Sequence, residues 1–307
     1  MSEVSPPIIF ASGNLAQSYM AMQSPAALGR FASGAGFDGV EWHPLYRSAR
    51  KVVAAAKSGD LVLNSLHQSF RTDELSRDTN LYGGNQKPID RLIDGPLGRL
   101  VMPEMVMSCR FINAVLDGTK RRLPVVYFPH RDARVDHEMR DFVNAEIDLF
   151  QVTDHVADLV GARDLDEFND IMYERGYFGR VLDTLHARRK YGPNEKPIIS
   201  GASLEDLMPD VRAVHFSLNR LDFAESTPDI KGSQELEEAL TGDFTGYHRD
   251  VLDAVRESAQ ARDGLRVRYV VVELASGALS GAAKEHDLNL QEGYARIGEN
   301  LRYYLAA

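Results

Sequence analysis

Short runs of β-branched and aromatic residues recur along the chain. Each is followed by a polar or glycine-bearing turn and then by a stretch whose apolar positions repeat at helical spacing. The runs lie at residues 8–11, 39–42, 61–66, 125–128, 147–150, 179–182, 213–216 and 267–272. The stretches between and after them predict helices over 25–33, 49–56, 97–116, 137–144, 165–175, 204–208, 247–261 and 290–305. Eight strand-then-helix units in 307 residues fit an α/β fold of the (β/α)8 or TIM-barrel type, which takes about 250 residues plus insertions. A doubly wound open sheet would need a glycine-rich phosphate loop after the first strand, and Ala11-Ser12-Gly13-Asn14 offers a single glycine there. No repeat, low-complexity tract or Pro/Ser linker divides the chain, so residues 1–307 read as one domain with a flexible lead-in over 1–6. Residues 70–97 are polar, carry Gly83-Gly84 and show little periodicity. That is long for a mere connection, and the segment reads as a lid or an oligomer arm.

Composition narrows what such a barrel does. With 44% hydrophobic and 26% charged residues the chain is an ordinary globular protein, which excludes disordered, collagen-like and disulfide-scaffold classes. Its 35 basic against 45 acidic side chains leave a net charge of −10, which argues against a nucleic acid partner. The single cysteine, Cys109, rules out an internal disulfide, reads as a buried small hydrophobe and suits a reducing compartment. Residues 1–7 lack a basic then apolar leader, and nowhere do about 18 apolar residues run together. A cytoplasmic protein with no membrane partner is expected.

In a barrel of this kind chemistry gathers at the carboxyl ends of the strands. Glu41 ends the second run, with Trp42 and His43 after it, and His67 ends the third. His130 follows the fourth, Gln151 ends the fifth, Asp183 ends the sixth with His186 three residues on, His215 lies in the seventh and Glu273 ends the eighth. Five of the nine histidines therefore fall at one predicted rim, among carboxylates. Nitrogen and oxygen donors in that mixture suit a divalent metal such as Mn, Mg, Zn or Co. A single histidine near a strand end is more often a hydrogen-bonded structural residue than a ligand, and Glu41 serves equally as a loop anchor. Glu273 follows three valines and Asp183 follows Val181-Leu182, where an uncompensated carboxylate would be costly. Arg71, Arg131 and Arg220 each trail a rim histidine and suit a phosphate or carboxylate on a substrate, or else pair locally with Asp73, Asp132 and Asp222. Trp42, the sole tryptophan, is suited to cover a sugar ring or to pack in the interior.

Four strings give the chain a family likeness: Gly36-Phe37-Asp38-Gly39-Val40-Glu41, Val181-Leu182-Asp183-Thr184-Leu185-His186, Val214-His215-Phe216 and Val271-Val272-Glu273. With these the chain resembles the xylose-isomerase-like TIM barrels, which include sugar isomerases, ketose 3-epimerases, inositol-catabolism enzymes and endonuclease IV-type enzymes. The resemblance implies a divalent ion held by Glu on strand 5, Asp on strand 6, His on strand 7 and Glu on strand 8. Asp183, His215 and Glu273 match three of these, and the fourth position is Gln151, with Asp148 and Asp154 as other counterparts. Gln coordinates without charge and cannot take a proton from carbon, so an acid–base pair of the epimerase kind would lose one member. His67, His130 and His186 match histidines of the endonuclease IV-type members, but Asp229-Ile230-Lys231 has Lys where their third-metal motif has His.

The resemblance implies a sugar or polyol isomerase or epimerase that works through a metal-stabilised enediolate. The catalytic candidates are Glu273, His186 and Gln151; the metal candidates are Asp183, His215, Glu273, His67 and His130. The substrate candidates are Glu41, Trp42, Arg71, Arg131 and Arg220. It also implies a small sugar-like substrate and a homo-oligomer, since dimers and tetramers are frequent among the relatives. The alternatives are a metal-dependent phosphoester hydrolase and a barrel that has lost catalysis.

Overall fold

In a computed structural model of the chain the apolar runs form eight parallel strands: β1 (Ile8–Ala11), β2 (Val40–Trp42), β3 (Leu63–His67), β4 (Pro124–Tyr127), β5 (Glu146–Val152), β6 (Gly179–Asp183), β7 (Val211–Ser217) and β8 (Tyr269–Glu273). They pair in chain order, and β8 closes on β1 through Ile8 opposite Val270, Ile9 opposite Val271 and Phe10 opposite Val272. With helices between the strands this is a single-domain (β/α)8 barrel. The structure describes residues 6–12, 24–43, 48–68, 98–127, 129, 133–143, 146–185, 187, 198–199, 201–218, 234–260, 267–274 and 276–307. The segment read as a lid or oligomer arm, 70–97, lies outside them, as do residues 1–5 of the lead-in. Pro6 is buried, and the Pro7 carbonyl accepts the Val270 N–H at 3.0 Å, so the end of the lead-in is tied to β8.

Alternation along each strand decides what faces where. In β8, Tyr269, Val271 and Glu273 share one face and Val270 and Val272 the other, and the buried residues divide accordingly into two clusters. Ile9, Val126, Leu149, Val181, Ala213 and Val271 fill the lumen. Their outward neighbours, among them Ile8, Phe10, Val40, Trp42 and Val270, pack beneath the helices. One step nearer the carboxyl ends the inward positions turn polar: Glu41, Ser65, His67, Gln151, Asp183, His215, Ser217 and Glu273. The barrel thus has an apolar floor and a polar mouth. Cys109 is fully buried, and burial pushes its thiol up to about 12.

The described helices are α1 (Pro25–Gly34), α2 (Ala49–Ser58), α3 (Gly98–Thr119), α4 (Ala133–Phe142), α5 (Asp154–Val160), α6 (Leu165–Glu174), α7 (Leu204–Leu207), α8 (Gln234–Thr241), α9 (Gly246–Gln260), α10 (Ser276–Glu285) and α11 (Leu290–Ala306). Side-chain caps fix several starts, including Ser24 on α1, Thr153 on α5 and the Asn289–Glu292 capping box on α11. The last helix covers the closing seam. Its Tyr294 ring meets Phe10 of β1 at 5.0 Å edge-on, and its hydroxyl donates to the Leu274 carbonyl just after β8 at 2.7 Å. Among the described residues no helix is long and apolar enough to cross a membrane.

The eight strands fall within two residues of their predicted bounds, while the helices α5, α8 and α10 are not among those the sequence predicts. The helix expected at 137–144 begins earlier, at Ala133, and β5 extends through Gln151 to Val152.

Candidate functional site

Strand β2 is three residues long, and its middle residue is the inward one, so Glu41 enters the lumen between the outward Val40 and Trp42. His43 lies two residues further on the same face. In β3 the same period puts Ser65 and His67 inward, with Ser65 in register with Glu41. The Ser65 hydroxyl donates to Glu41 Oε2 at 2.8 Å. In β7 His215 points inward between Val214 and Phe216, and in β8 Glu273 does so after Val272. His215 links the carboxylates of β2 and β8: its Nε2 is 3.1 Å from Glu41 Oε1 and its Nδ1 is 3.2 Å from Glu273 Oε1. The His43 and His67 rings stack at 4.4 Å, and the His67 ring is 5.5 Å from that of His215.

Neighbouring oxygens fix two of the imidazoles. His67 Nδ1 lies 2.8 Å from the Gln68 carbonyl, which can only accept, so Nδ1 carries the proton and Nε2 the lone pair. His43 is tied to Ser12, whose Oγ accepts the His43 backbone N–H at 2.8 Å and lies 3.3 Å from Nδ1.

The charges follow from burial and proximity. Burial by itself would raise the Glu41 carboxyl, but His215, with smaller contributions from His67 and His43, holds it down to about 2. Glu273 is likewise opposed by burial and is held to about 2, chiefly by His215. Burial disfavours the His215 cation, yet the two carboxylates raise it well above its ordinary value. Burial lowers His43, and burial, together with the repulsion that protonated His43 would exert, lowers His67 to about 3. At neutral pH the cluster therefore holds two carboxylates, one imidazolium and two neutral imidazoles.

A divalent cation fits this set. Two groups of donors converge, Glu41 with His43 and His67, and Glu41 with His215 and Glu273; within each the donor atoms lie within 4.8 Å of one another. Imidazole nitrogen with carboxylate oxygen is the donor mixture of zinc, manganese, cobalt and ferrous iron. Glu41 Oε1 and both His215 nitrogens approach at ion-pair distance without hydrogen-bond alignment. Two carboxylates share the single imidazolium of His215, so the cluster keeps a net negative charge that a cation would neutralise.

The expected residues fare differently. Glu41, His67, His215 and Glu273 come together, joined by His43, which the sequence marks as a rim histidine but not as a ligand. Asp183 ends β6 beside His215 in register. However, its Oδ2 accepts Gln151 Nε2 at 2.6 Å and its Oδ1 accepts the Leu185 N–H at 2.9 Å, and among the described residues it is in neither converging group. Gln151 is buried with its Oε1 unpartnered. Asp154, an alternative counterpart of the strand-5 position, accepts the N–H groups of Ile198 and Ile199 at 2.6 and 2.7 Å instead. Trp42 is buried on the opposite face of β2, a packing position rather than one that covers a sugar ring. Arg71, His130, Arg131, His186 and Arg220 lie outside the described residues. The supporting oxygens of Ser12, Ser65 and Gln68 were not anticipated; Ser65 has a sequence signal, since it stands two residues before His67 on one strand.

Fold and mouth together define a (β/α)8 barrel with an imidazole–carboxylate cluster at the carboxyl ends of its strands. The chain matches no family model and no curated protein.

Proposed function

We propose that the barrel is a divalent-metal-dependent sugar or polyol isomerase or epimerase that moves a proton at a carbon beside a carbonyl. The observation that carries this reading is the chain Glu41–His215–Glu273 across the mouth. Its outer member alone reaches solvent: the Glu273 side chain is 23% exposed, against 0% for Glu41 and His215. Glu273 is thus the carboxylate that a small substrate can touch. Held near 2, it is ionised at neutral pH and ready to accept a proton, but it is a weak base, so the substrate C–H must be made acidic. A cation held at Glu41 and the neighbouring imidazoles would supply that, since a Lewis acid polarises a carbonyl and stabilises the negative charge beside it. Glu273 takes the proton from one carbon and returns it on the same face to the neighbouring carbon, the isomerase step; inversion at a single carbon would need a second acid on the opposite face, where Gln151 offers none. His215 orients the carboxylate throughout, and Glu41 balances the imidazolium from the opposite side.

The test is elemental analysis of protein purified without chelator, followed by aldose–ketose and epimer interconversion assays. Glu273→Gln is expected to retain the metal and to lose turnover by about 100- to 10,000-fold, the scale of general acid–base catalysis. Retention of both metal and turnover removes the mechanism.

One feature favours a second reading. Glu41 belongs to both converging groups, and a carboxylate between two cation positions suits a two-metal phosphoester hydrolase. Two metal ions per chain, with phosphodiester or phosphomonoester turnover, would favour it over the isomerase.

A further inference from the structure

We infer that the resident cation sits on the strand 2–strand 3 side of the mouth, held by Glu41, His43 and His67, and not on Asp183, His215 and Glu273. The inference rests on the proposed need for a cation and goes further by assigning its seat and ligand class. Three observations separate the two sides.

The first is that the strand 2–3 donors are pre-arranged. Ser65 holds Oε2 of Glu41 at 2.8 Å, while the buried Oε1 faces the His215 imidazole at 3.1 Å without hydrogen-bond alignment. The Gln68 carbonyl at 2.8 Å fixes the His67 tautomer that keeps the lone pair on Nε2, and Ser12 anchors His43. Outer partners of this kind orient the ligands of metal sites. The second is that His215 on β7 and Asp183 on β6 are already engaged by protein partners. Both ring nitrogens of His215 face carboxylates, at 3.1 and 3.2 Å, so ligation would cost it one of them. Asp183 accepts from Gln151 on one oxygen and from Leu185 on the other. The third is the donor set itself. Two imidazoles and one carboxylate form the arrangement of catalytic zinc and non-haem iron centres, which leaves coordination positions open for substrate or water. The seat should accordingly prefer Zn²⁺, Co²⁺, Fe²⁺ or Mn²⁺ to Mg²⁺ or Ca²⁺.

The test uses the full chain and the metal alone. Equilibrium dialysis with Zn²⁺ and pulsed EPR of the Cu²⁺-loaded protein are measured on the wild type, His67→Gln, His215→Gln and Asp183→Asn. The wild type is expected to take one ion coupled to two imidazoles. His67→Gln should weaken Zn²⁺ binding by about 100-fold or more and leave one coupled imidazole. Asp183→Asn should bind within about threefold of the wild type, and His215→Gln should keep both imidazole couplings. If His67→Gln does not fold, Ser12→Ala serves in its place, with about a tenfold loss of Zn²⁺ affinity expected from an outer-partner change. Loss of binding in Asp183→Asn or His215→Gln, with His67→Gln unaffected, overturns this assignment and leaves the proposed enzyme standing with its cation on strands 6–8. Two ions per chain overturn it in favour of the two-metal reading. Failure of the wild type to bind any of these ions overturns it together with the proposed function.

Discussion

His215 serves two carboxylates at once, and the pH dependence of the metal-free protein should show it. Glu41 and Glu273 are depressed from the ordinary 4.5 to about 2, so their contribution to stability is complete above pH 4.5 and is lost as pH falls toward 2. His215 is raised, so its contribution is complete below 6.5 and is lost as pH rises through its elevated value. His67, kept neutral and lowered to about 3, adds a loss that begins as pH drops below 6.5. Melting temperatures in chelator should therefore fall on both sides of neutrality, and His67→Gln should flatten the slope between pH 6.5 and 4.5. An unchanged slope in that variant would contradict the assigned charge states. Gln151→Glu tests the neighbouring pair. It replaces the donor that meets Asp183 at 2.6 Å with a like charge and should cost about 1–3 kcal/mol in urea unfolding of the chelated protein. These residues differ in how far the sequence exposes them. Glu273 and His215 can be found because the apolar runs around them fix which way the next residue faces, and the same period of two extends Glu41 to His43. The Gln151–Asp183 bond joins two strands whose register the sequence does not specify, so Asp183 reads as a ligand until the fold shows it already engaged.

Strands and helices differ in the same respect. The strands are legible because runs such as Val270-Val271-Val272 have neither the length nor the period of a helix. Three helices escape. α5 has seven residues between its Thr153 cap and the left-handed Gly161, and follows β5 at once. α10 is built largely of Ser, Gly and Ala, whose small side chains draw no apolar stripe. α8 carries buried Leu236, Ala239 and Leu240 at helical spacing, but it is only eight residues long. α1 shows how tightly an element is seated. A Cβ on Gly29 would stand 2.1 Å from the Asp60 carbonyl oxygen and 2.7 Å from the Leu61 Cα, both backbone atoms at the approach to β3. Gly29→Ala should therefore lose about 1–3 kcal/mol in urea unfolding despite its better helix propensity. A neutral or stabilising result would mean that α1 sits further from the sheet.

At the scale of the molecule, closure depends on the seam between β1 and β8, where Phe10 gathers Phe31, Phe37 and Tyr294 at centroid distances of 5.0 to 5.9 Å. Phe10→Ala should cost about 3–5 kcal/mol, and because β8 carries Glu273 it should also loosen the mouth. Unfolding by urea checks the first effect, and the loss of the His215–Glu273 contact, followed through the histidine NMR signals, checks the second. The order of strands around that seam also governs how the protein comes into being. Residues 41, 43 and 67 precede Glu273 by about two hundred positions, so synthesis delivers the proposed metal seat before the proposed proton carrier. If the proposed roles hold, the strands that would seat a cation are made before the strand that would act on a substrate, and loading would be separated from turnover in time.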